Sequence, residues 1–129
     1  KLSSKILEVE ELRKKELFKN KNIKLIYKRI KEAKSPFYTL ILFGSFANKT
    51  NTKRSDIDLC LITDNPEVTK EVQVVLSITP LDAHLVEFTS AQFISMLKSK
   101  GFNVGNEIVK NNVILYGIES FYEMINNVK

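Results

Sequence analysis

Residues 40–45 read Leu-Ile-Leu-Phe-Gly-Ser, and after ten further residues, residues 56–62 read Asp-Ile-Asp-Leu-Cys-Leu-Ile. The first segment lies in an apolar stretch over 37–43 that is rich in β-branched and aromatic residues and ends at a glycine, which predicts a buried central strand. The second alternates between acidic and apolar residues before becoming wholly apolar, which predicts another strand. A Gly-Ser turn that leaves a buried strand exposes backbone N–H groups and a hydroxyl, as a phosphate-binding turn does.

The second segment carries two carboxylates, Asp56 and Asp58, that are two residues apart. Because side chains on a strand alternate between faces, we expect both carboxylates on one face. Their mutual repulsion favours a divalent cation, and hard oxygen ligands favour magnesium that arrives with phosphates. A third acidic residue would allow two metal ions to clamp a phosphoryl displacement, and Asp82, at the start of the third predicted strand, is the candidate. Glu87, on the opposite face of that strand, is the fallback, and His84, on the face of Asp82, is interpreted as a packed strand residue.

Apolar residues at helical spacing, together with cap and turn residues, divide the rest of the chain into helices and strands. An Asn-Lys-Asn segment at 20–22 separates two predicted N-terminal helices. Their apolar faces contain Leu2, Ile6, Val9 and Leu12 in the first helix and Ile23, Ile26, Ile30 and Ala33 in the second. The remaining predicted elements are a helix over 67–76, a strand over 81–88, a helix capped at Thr89, a short helix over 106–111, a strand over 113–116 and a closing helix over 119–128.

The charge of the chain is unevenly distributed. The 129 residues have a formal net charge of +5, but residues 1–34 contain 12 Lys or Arg and 5 Glu, and the rest is slightly acidic. We therefore predict a basic helical extension or linker over 1–35 and one compact domain over 36–129. The basic extension is also a candidate for nucleic-acid binding. Because the sequence begins at Lys1 rather than methionine, we expect further chain upstream.

The composition excludes several classes of protein and site. One cysteine, Cys60, cannot form an internal disulfide and is interpreted as a core residue, and with a single histidine it cannot complete a zinc site. Apolar runs such as 40–43 are far too short to cross a bilayer, so we expect a soluble cytoplasmic protein without a membrane partner. The absence of a Gly-x-x-x-x-Gly-Lys motif excludes a P-loop ATPase. The main apolar run follows the Asp pair, whereas in haloacid dehalogenase-like phosphatases it precedes the pair.

The order of apolar strand, Gly-Ser, ten residues and Asp-apolar-Asp-apolar resembles the signature of nucleotidyltransferases of the DNA polymerase beta superfamily. The likeness is greatest to the small prokaryotic minimal nucleotidyltransferase domains. It is strongest over Phe37–Phe88 and extends, with less specific residues, through 105–110 and 115–117. The resemblance implies a mixed α/β nucleotidyltransferase fold, in which helices flank a small, mixed, twisted sheet, here with an N-terminal helical extension.

The resemblance also implies a site and an activity. In that family the Gly-Ser turn holds the nucleotide phosphates and the acidic residues bind metal, which implies nucleotide binding by Gly44 and Ser45 and catalytic metal binding by Asp56, Asp58 and Asp82. The implied reaction transfers a nucleoside monophosphate, AMP in the first instance, from a triphosphate such as ATP to a hydroxyl on a protein or small molecule. Two magnesium ions assist it, and pyrophosphate is released.

The chain departs from the family pattern after the turn. Family members often carry arginine and then glycine where Asn48 and Lys49 stand, and Lys49, Lys53 or Arg54 is expected to supply the missing positive charge to the nucleotide. This departure favours an alternative, a non-catalytic nucleotide-binding or regulatory module that acts like an antitoxin or in transcription. The resemblance implies a HEPN-type toxin or an upstream winged-helix DNA-binding domain as partners, and it leaves a homo-oligomer open.

Overall fold

The structure is a computed structural model that describes residues 3–32, 38–52, 55–99 and 101–128. Over these ranges the chain forms seven helices and four strands. In chain order they are α1 (Ser4–Leu17), α2 (Lys21–Lys31), β1 (Thr39–Phe43), α3 (Ser45–Asn48), β2 (Ile57–Ile62), α4 (Pro66–Ile78), β3 (Ala83–Phe88), α5 (Ser90–Lys98), α6 (Val104–Lys110), β4 (Val113–Tyr116) and α7 (Ile118–Asn126).

The four strands of the described residues form one mixed sheet in the order β3-β2-β1-β4. β1 pairs antiparallel with β2 and β4, whereas β2 and β3 are parallel. The central position predicted for the first strand is confirmed, since Leu40, Ile41 and Leu42 of β1 are at most 1% exposed. Together with the helices on both faces, this sheet confirms the predicted mixed α/β fold.

The two faces of the sheet carry separate clusters of buried residues. One cluster joins Leu59 and Leu61 of β2 to residues of α2 and α4, and the other joins Cys60 to residues of α5, α6 and α7. Successive residues of β2 therefore face opposite helical layers, as strand geometry requires. Cys60 is fully buried, which confirms its interpretation as a core residue. Asp58, two residues earlier, faces the same side as Cys60.

Local sequence signals set the starts of the helices. Asn20 caps α2 by accepting hydrogen bonds from the backbone N–H groups of Asn22 and Ile23, within the segment predicted to separate the first two helices. Thr89 and Gln92 form a capping box at the start of α5, which confirms the predicted cap. In the described ranges, no helix is long and apolar enough to cross a membrane.

The two N-terminal helices differ in the kind of residue that they bury: α2 buries apolar side chains, whereas α1 buries a glutamate. Of the apolar face predicted for the second helix, Ile23, Ile26 and Ile30 are buried in the same cluster as residues of β1 and β2, and Ala33 lies outside the described residues. In α1, which packs against β4, the buried residue is Glu10, whose carboxylate accepts a hydrogen bond from the Tyr122 hydroxyl of α7. The exposed apolar residues of α1 are Ile6, Val9 and Leu12. Periodicity thus predicted α1 as a helix but not the face by which it packs. The predicted boundary between 1–35 and 36–129 falls within 33–37, outside the described residues.

Candidate functional site

The Gly-Ser turn and the Asp pair meet at the edge of the sheet where β1 ends and β2 begins. Antiparallel pairing puts Phe43, the last residue of β1, opposite Asp58, and Gly44 follows. Gly44 has φ +74° and ψ −151°, and a Cβ added there would lie 2.2 Å from Oδ2 of Asp58. Only glycine fits, because this conformation strains any other residue and the carboxylate already occupies the space of a side chain. The turn and the carboxylate therefore form one close-packed unit.

The turn leads directly into α3, which begins at Ser45. The backbone N–H of Thr50 donates to the Ser45 carbonyl oxygen at 2.9 Å, and Lys49 ends the helix in the left-handed conformation, with φ 60° and ψ 29°. Lys49 stands where members of the family that the sequence resembles often carry glycine. Lys49 therefore adopts the left-handed conformation that glycine adopts more easily, and this costs about 1 kcal/mol. Lys53 and Arg54, predicted to contact the nucleotide, lie outside the described residues.

His84 of β3 lies against both aspartates. Parallel pairing puts it in register with Asp58, and its ring nitrogens lie 3.4 Å from Oδ2 of Asp56 and 3.9 Å from Oδ1 of Asp58. Its side chain is 70% exposed, so the interpretation of His84 as a packed strand residue is wrong. The His84 side chain is exposed because the residue lies near the start of an edge strand, where its ring projects beside the two carboxylates. Sequence reasoning found its face of the strand but had no signal for the register between β2 and β3.

The electrostatics of the pair favour a cation. Burial raises the pKa of the Asp58 carboxyl, the nearby His84 imidazole lowers it, and the Asp56 carboxylate raises it. The side chains of Asp56 and Asp58 are 41% and 31% exposed, so both remain open to solvent and to a ligand. Two carboxylates that share a partly buried site are stabilised by positive charge placed between them.

The donor set fits magnesium that arrives with a nucleotide. Two hard carboxylates open to solvent leave coordination positions for water and phosphate oxygens, the ligands that magnesium usually keeps. Within the described ranges, no group of three or more His, Cys, Asp or Glu side chains is arranged to hold a metal ion. The chemistry of the pair therefore suits an ion shared with phosphate rather than one enclosed by protein ligands alone.

The third acidic residue predicted from the sequence, Asp82, adjoins the backbone of Ile57, the residue between the two aspartates. The carbonyl oxygen of Asp82 accepts a hydrogen bond from the Ile57 N–H at 2.9 Å, but its exposed carboxylate makes no hydrogen bond or ion pair with another described residue. Asp82 precedes Ala83, the first residue of β3, so strand alternation does not set its side-chain direction. Glu87, the fallback, lies on the opposite face and accepts a hydrogen bond from Gln73 of α4 at 2.7 Å. The role of Asp82 stays a prediction.

The family of the chain follows from a comparison with known sequences. Residues 23–111 match the model of the nucleotidyltransferase domain. The chain belongs to this family. The match begins within α2 and includes β1, the Gly-Ser turn, the Asp pair and β3. It confirms the resemblance found in the sequence, and it includes residues 23–31 of α2, which packs into the core.

A comparison with solved structures finds a protein of similar fold. A structure described as the crystal structure of a toxin-antitoxin with AMP-PNP is similar to this chain, with a TM-score of 0.50 and 22% sequence identity. The similarity covers 77% of this chain and 76% of that chain. At this identity it shows a common fold. No curated protein matches the sequence.

Proposed function

We propose that this nucleotidyltransferase domain transfers a nucleoside monophosphate, AMP in the first instance, from a triphosphate to a hydroxyl acceptor and releases pyrophosphate. The observation that carries the proposal is the close-packed unit of Gly44 and Asp58, with Asp56 beside it, in a chain of this family. The structurally similar protein contains AMP-PNP, which supports ATP as the donor. That protein is a toxin-antitoxin, which supports a partner protein as the acceptor.

Each residue has a defined part in the proposed reaction. The Ser45 hydroxyl and the neighbouring backbone N–H groups bind the β and γ phosphates, and Gly44 allows the phosphates to approach Asp58. Asp56 and Asp58 would hold magnesium, which would neutralise charge that develops on the phosphate oxygens. Asp82 accepts the proton of the acceptor hydroxyl. The acceptor oxygen forms a bond to the α-phosphorus in line as the bond from that phosphorus to the β-phosphate oxygen breaks, and pyrophosphate leaves with the bonding electrons.

A second function, nucleotide-dependent regulation without transfer, is favoured by His84. Its imidazole lies against both aspartates and brings no negative charge to the pair, where a two-metal mechanism needs a further carboxylate. The replacement of the usual arginine and glycine by Asn48 and Lys49 favours the same function. In this case the domain binds the nucleotide and signals its presence to a partner.

A labelled-transfer assay separates the two functions. The protein is incubated with magnesium, each of four α-labelled nucleoside triphosphates and a panel of protein and small-molecule acceptors. We expect label transfer and pyrophosphate release in the wild type and their loss in Asp56→Asn. Asp64→Asn is the matched control, because Asp64 follows β2 at its far end and binds the Ser90 backbone N–H. Nucleotide binding without transfer across the panel would support the regulatory function, and the absence of both would refute the two proposals together.

Two further variants test the acidic residue on the acceptor side. Asp82→Asn should lower the transfer rate at least tenfold with little change in nucleotide affinity, because general acid-base groups act mainly in the chemical step. A wild-type rate in Asp82→Asn would remove Asp82 from the mechanism. His84→Asp brings a carboxylate to the pair, and a higher transfer rate in that variant would identify position 84 as the third ligand position.

A further inference from the structure

A pocket of about 200 Å³ opens beside the Gly-Ser turn and extends to the loop between α5 and α6. Gly44 lines one part of it, and Phe43 and Val104 supply apolar walls. Phe102 also lines the pocket and is 90% exposed, the largest exposed fraction among the large hydrophobic side chains of the described ranges. An apolar pocket that adjoins a phosphate-binding turn and carries an exposed aromatic ring suits a flat ligand group.

The loop that carries Phe102 is held in place on both sides. The side chain of Asn103 accepts a hydrogen bond from the Asn106 backbone N–H at 2.8 Å and donates one to the Met96 carbonyl oxygen at 3.0 Å. The side-chain amide of Asn106 donates to the Gly101 carbonyl oxygen at 3.0 Å. The ring of Phe102 is therefore presented to solvent from an anchored backbone. A backbone that is ordered in advance loses less conformational entropy when a ligand stacks on the ring that it carries.

Polar side chains at the same pocket match the edge of a heteroaromatic base. Asn48 and Asn111 line the pocket, and each amide offers both hydrogen-bond donors and an acceptor. Glu107 adds carboxylate oxygens, which accept hydrogen bonds from an exocyclic amino group such as that of adenine. The pocket thus combines an aromatic face with hydrogen-bonding groups suited to the edge of a base.

We propose that Phe102 stacks on the nucleobase of the bound triphosphate, an inference that rests on the proposed nucleotide site at Gly44. The pocket lies on the β1 side of the Asp pair, since it includes Phe43 and Gly44 at the end of that strand. His84 and the edge strand β3 lie on the other side of the pair. The donor nucleotide therefore occupies the β1 side of the pair.

Binding measurements on the full chain test this assignment. Isothermal titration calorimetry measures the affinity of magnesium ATP and of magnesium tripolyphosphate, which has no base, for wild type, Phe102→Ala and Phe102→Trp. We expect Phe102→Ala to weaken ATP binding roughly tenfold, as the loss of one base-aromatic stack does. Binding of tripolyphosphate should be unchanged, and Phe102→Trp should retain the wild-type affinity for ATP. Ile78→Ala removes an exposed apolar side chain on α4 that is 68% exposed and should change neither affinity.

The possible results distinguish failure of the stacking from failure of the nucleotide site. Equal ATP affinity in wild type and Phe102→Ala would overturn the role of Phe102 and leave the nucleotide site standing. Equal loss of ATP and tripolyphosphate binding in Phe102→Ala would also overturn stacking, because the effect would not depend on the base. Absence of ATP binding in the wild type would overturn both proposals. Since Phe102 is 90% exposed, its variants should unfold at the wild-type temperature, which circular dichroism checks.

Discussion

Replacing Gly44 by alanine should destabilise the fold and disable the candidate site together. The new Cβ would lie 2.2 Å from Oδ2 of Asp58, and this separation must grow by about 1 Å before the contact is tolerable. The backbone at φ +74° and ψ −151° is a conformation that is essentially restricted to glycine. Both effects act on the same few atoms, because the turn and the carboxylate pack directly against each other.

The size of the effect follows from these two terms. Holding a residue other than glycine in this conformation costs about 1–3 kcal/mol, and displacement of the Asp58 carboxylate adds to that cost. For a chain of this length, 1 kcal/mol of stability corresponds to about 4 °C in the unfolding midpoint, so the backbone strain alone should lower the midpoint by about 4–12 °C. A carboxylate displaced by about 1 Å should lower the rate of nucleotidyl transfer about 100-fold.

The assay compares Gly44→Ala with Gly101→Ala. Gly101 also has positive φ, +139°, but a Cβ added there meets no atom within 4 Å. Thermal unfolding followed by circular dichroism should therefore show a larger loss of stability in Gly44→Ala, because, of these two variants, Gly44→Ala alone adds a collision with Asp58. A Gly44→Ala protein that unfolds at the wild-type temperature and retains the wild-type transfer rate would refute this account of the turn.

Three other perturbations have defined outcomes. Burial raises the pKa of Asp58, so stability is lost as pH rises through the folded-state pKa, and Asp58→Asn should unfold at a higher temperature than wild type at pH 7. His84→Ala should raise the Asp58 pKa further in a carboxyl NMR titration, because the imidazole lowers it; an unchanged or lower value would contradict this. Tyr122→Phe leaves the buried Glu10 carboxylate without its hydrogen-bond donor and should cost about 1–3 kcal/mol in urea unfolding, whereas an unchanged midpoint would show that the bond contributes nothing.

The sequence by itself determined the elements that carry the candidate site. The glycine after an apolar strand, the alternation through Asp56 and Asp58, and the cap at Thr89 are local signals that depend on a few neighbouring residues. Backbone sterics and hydrogen bonds within these segments favour the same conformations that the folded protein adopts. The family signature could be read for the same reason, since its residues lie within two consecutive strands and the turn between them.

Only the tertiary structure decided which distant groups meet. Glu10 and Tyr122 are 112 positions apart, and their hydrogen bond depends on how α1 docks, which its apolar stripe did not indicate. His84 reaches the Asp pair through the register of β2 and β3, and a shift of one residue would replace it by Ala83 or Leu85. The register of β2 and β3 and the packing of α1 depend on many small interactions across the whole core. They therefore cannot be predicted from a short segment of the sequence.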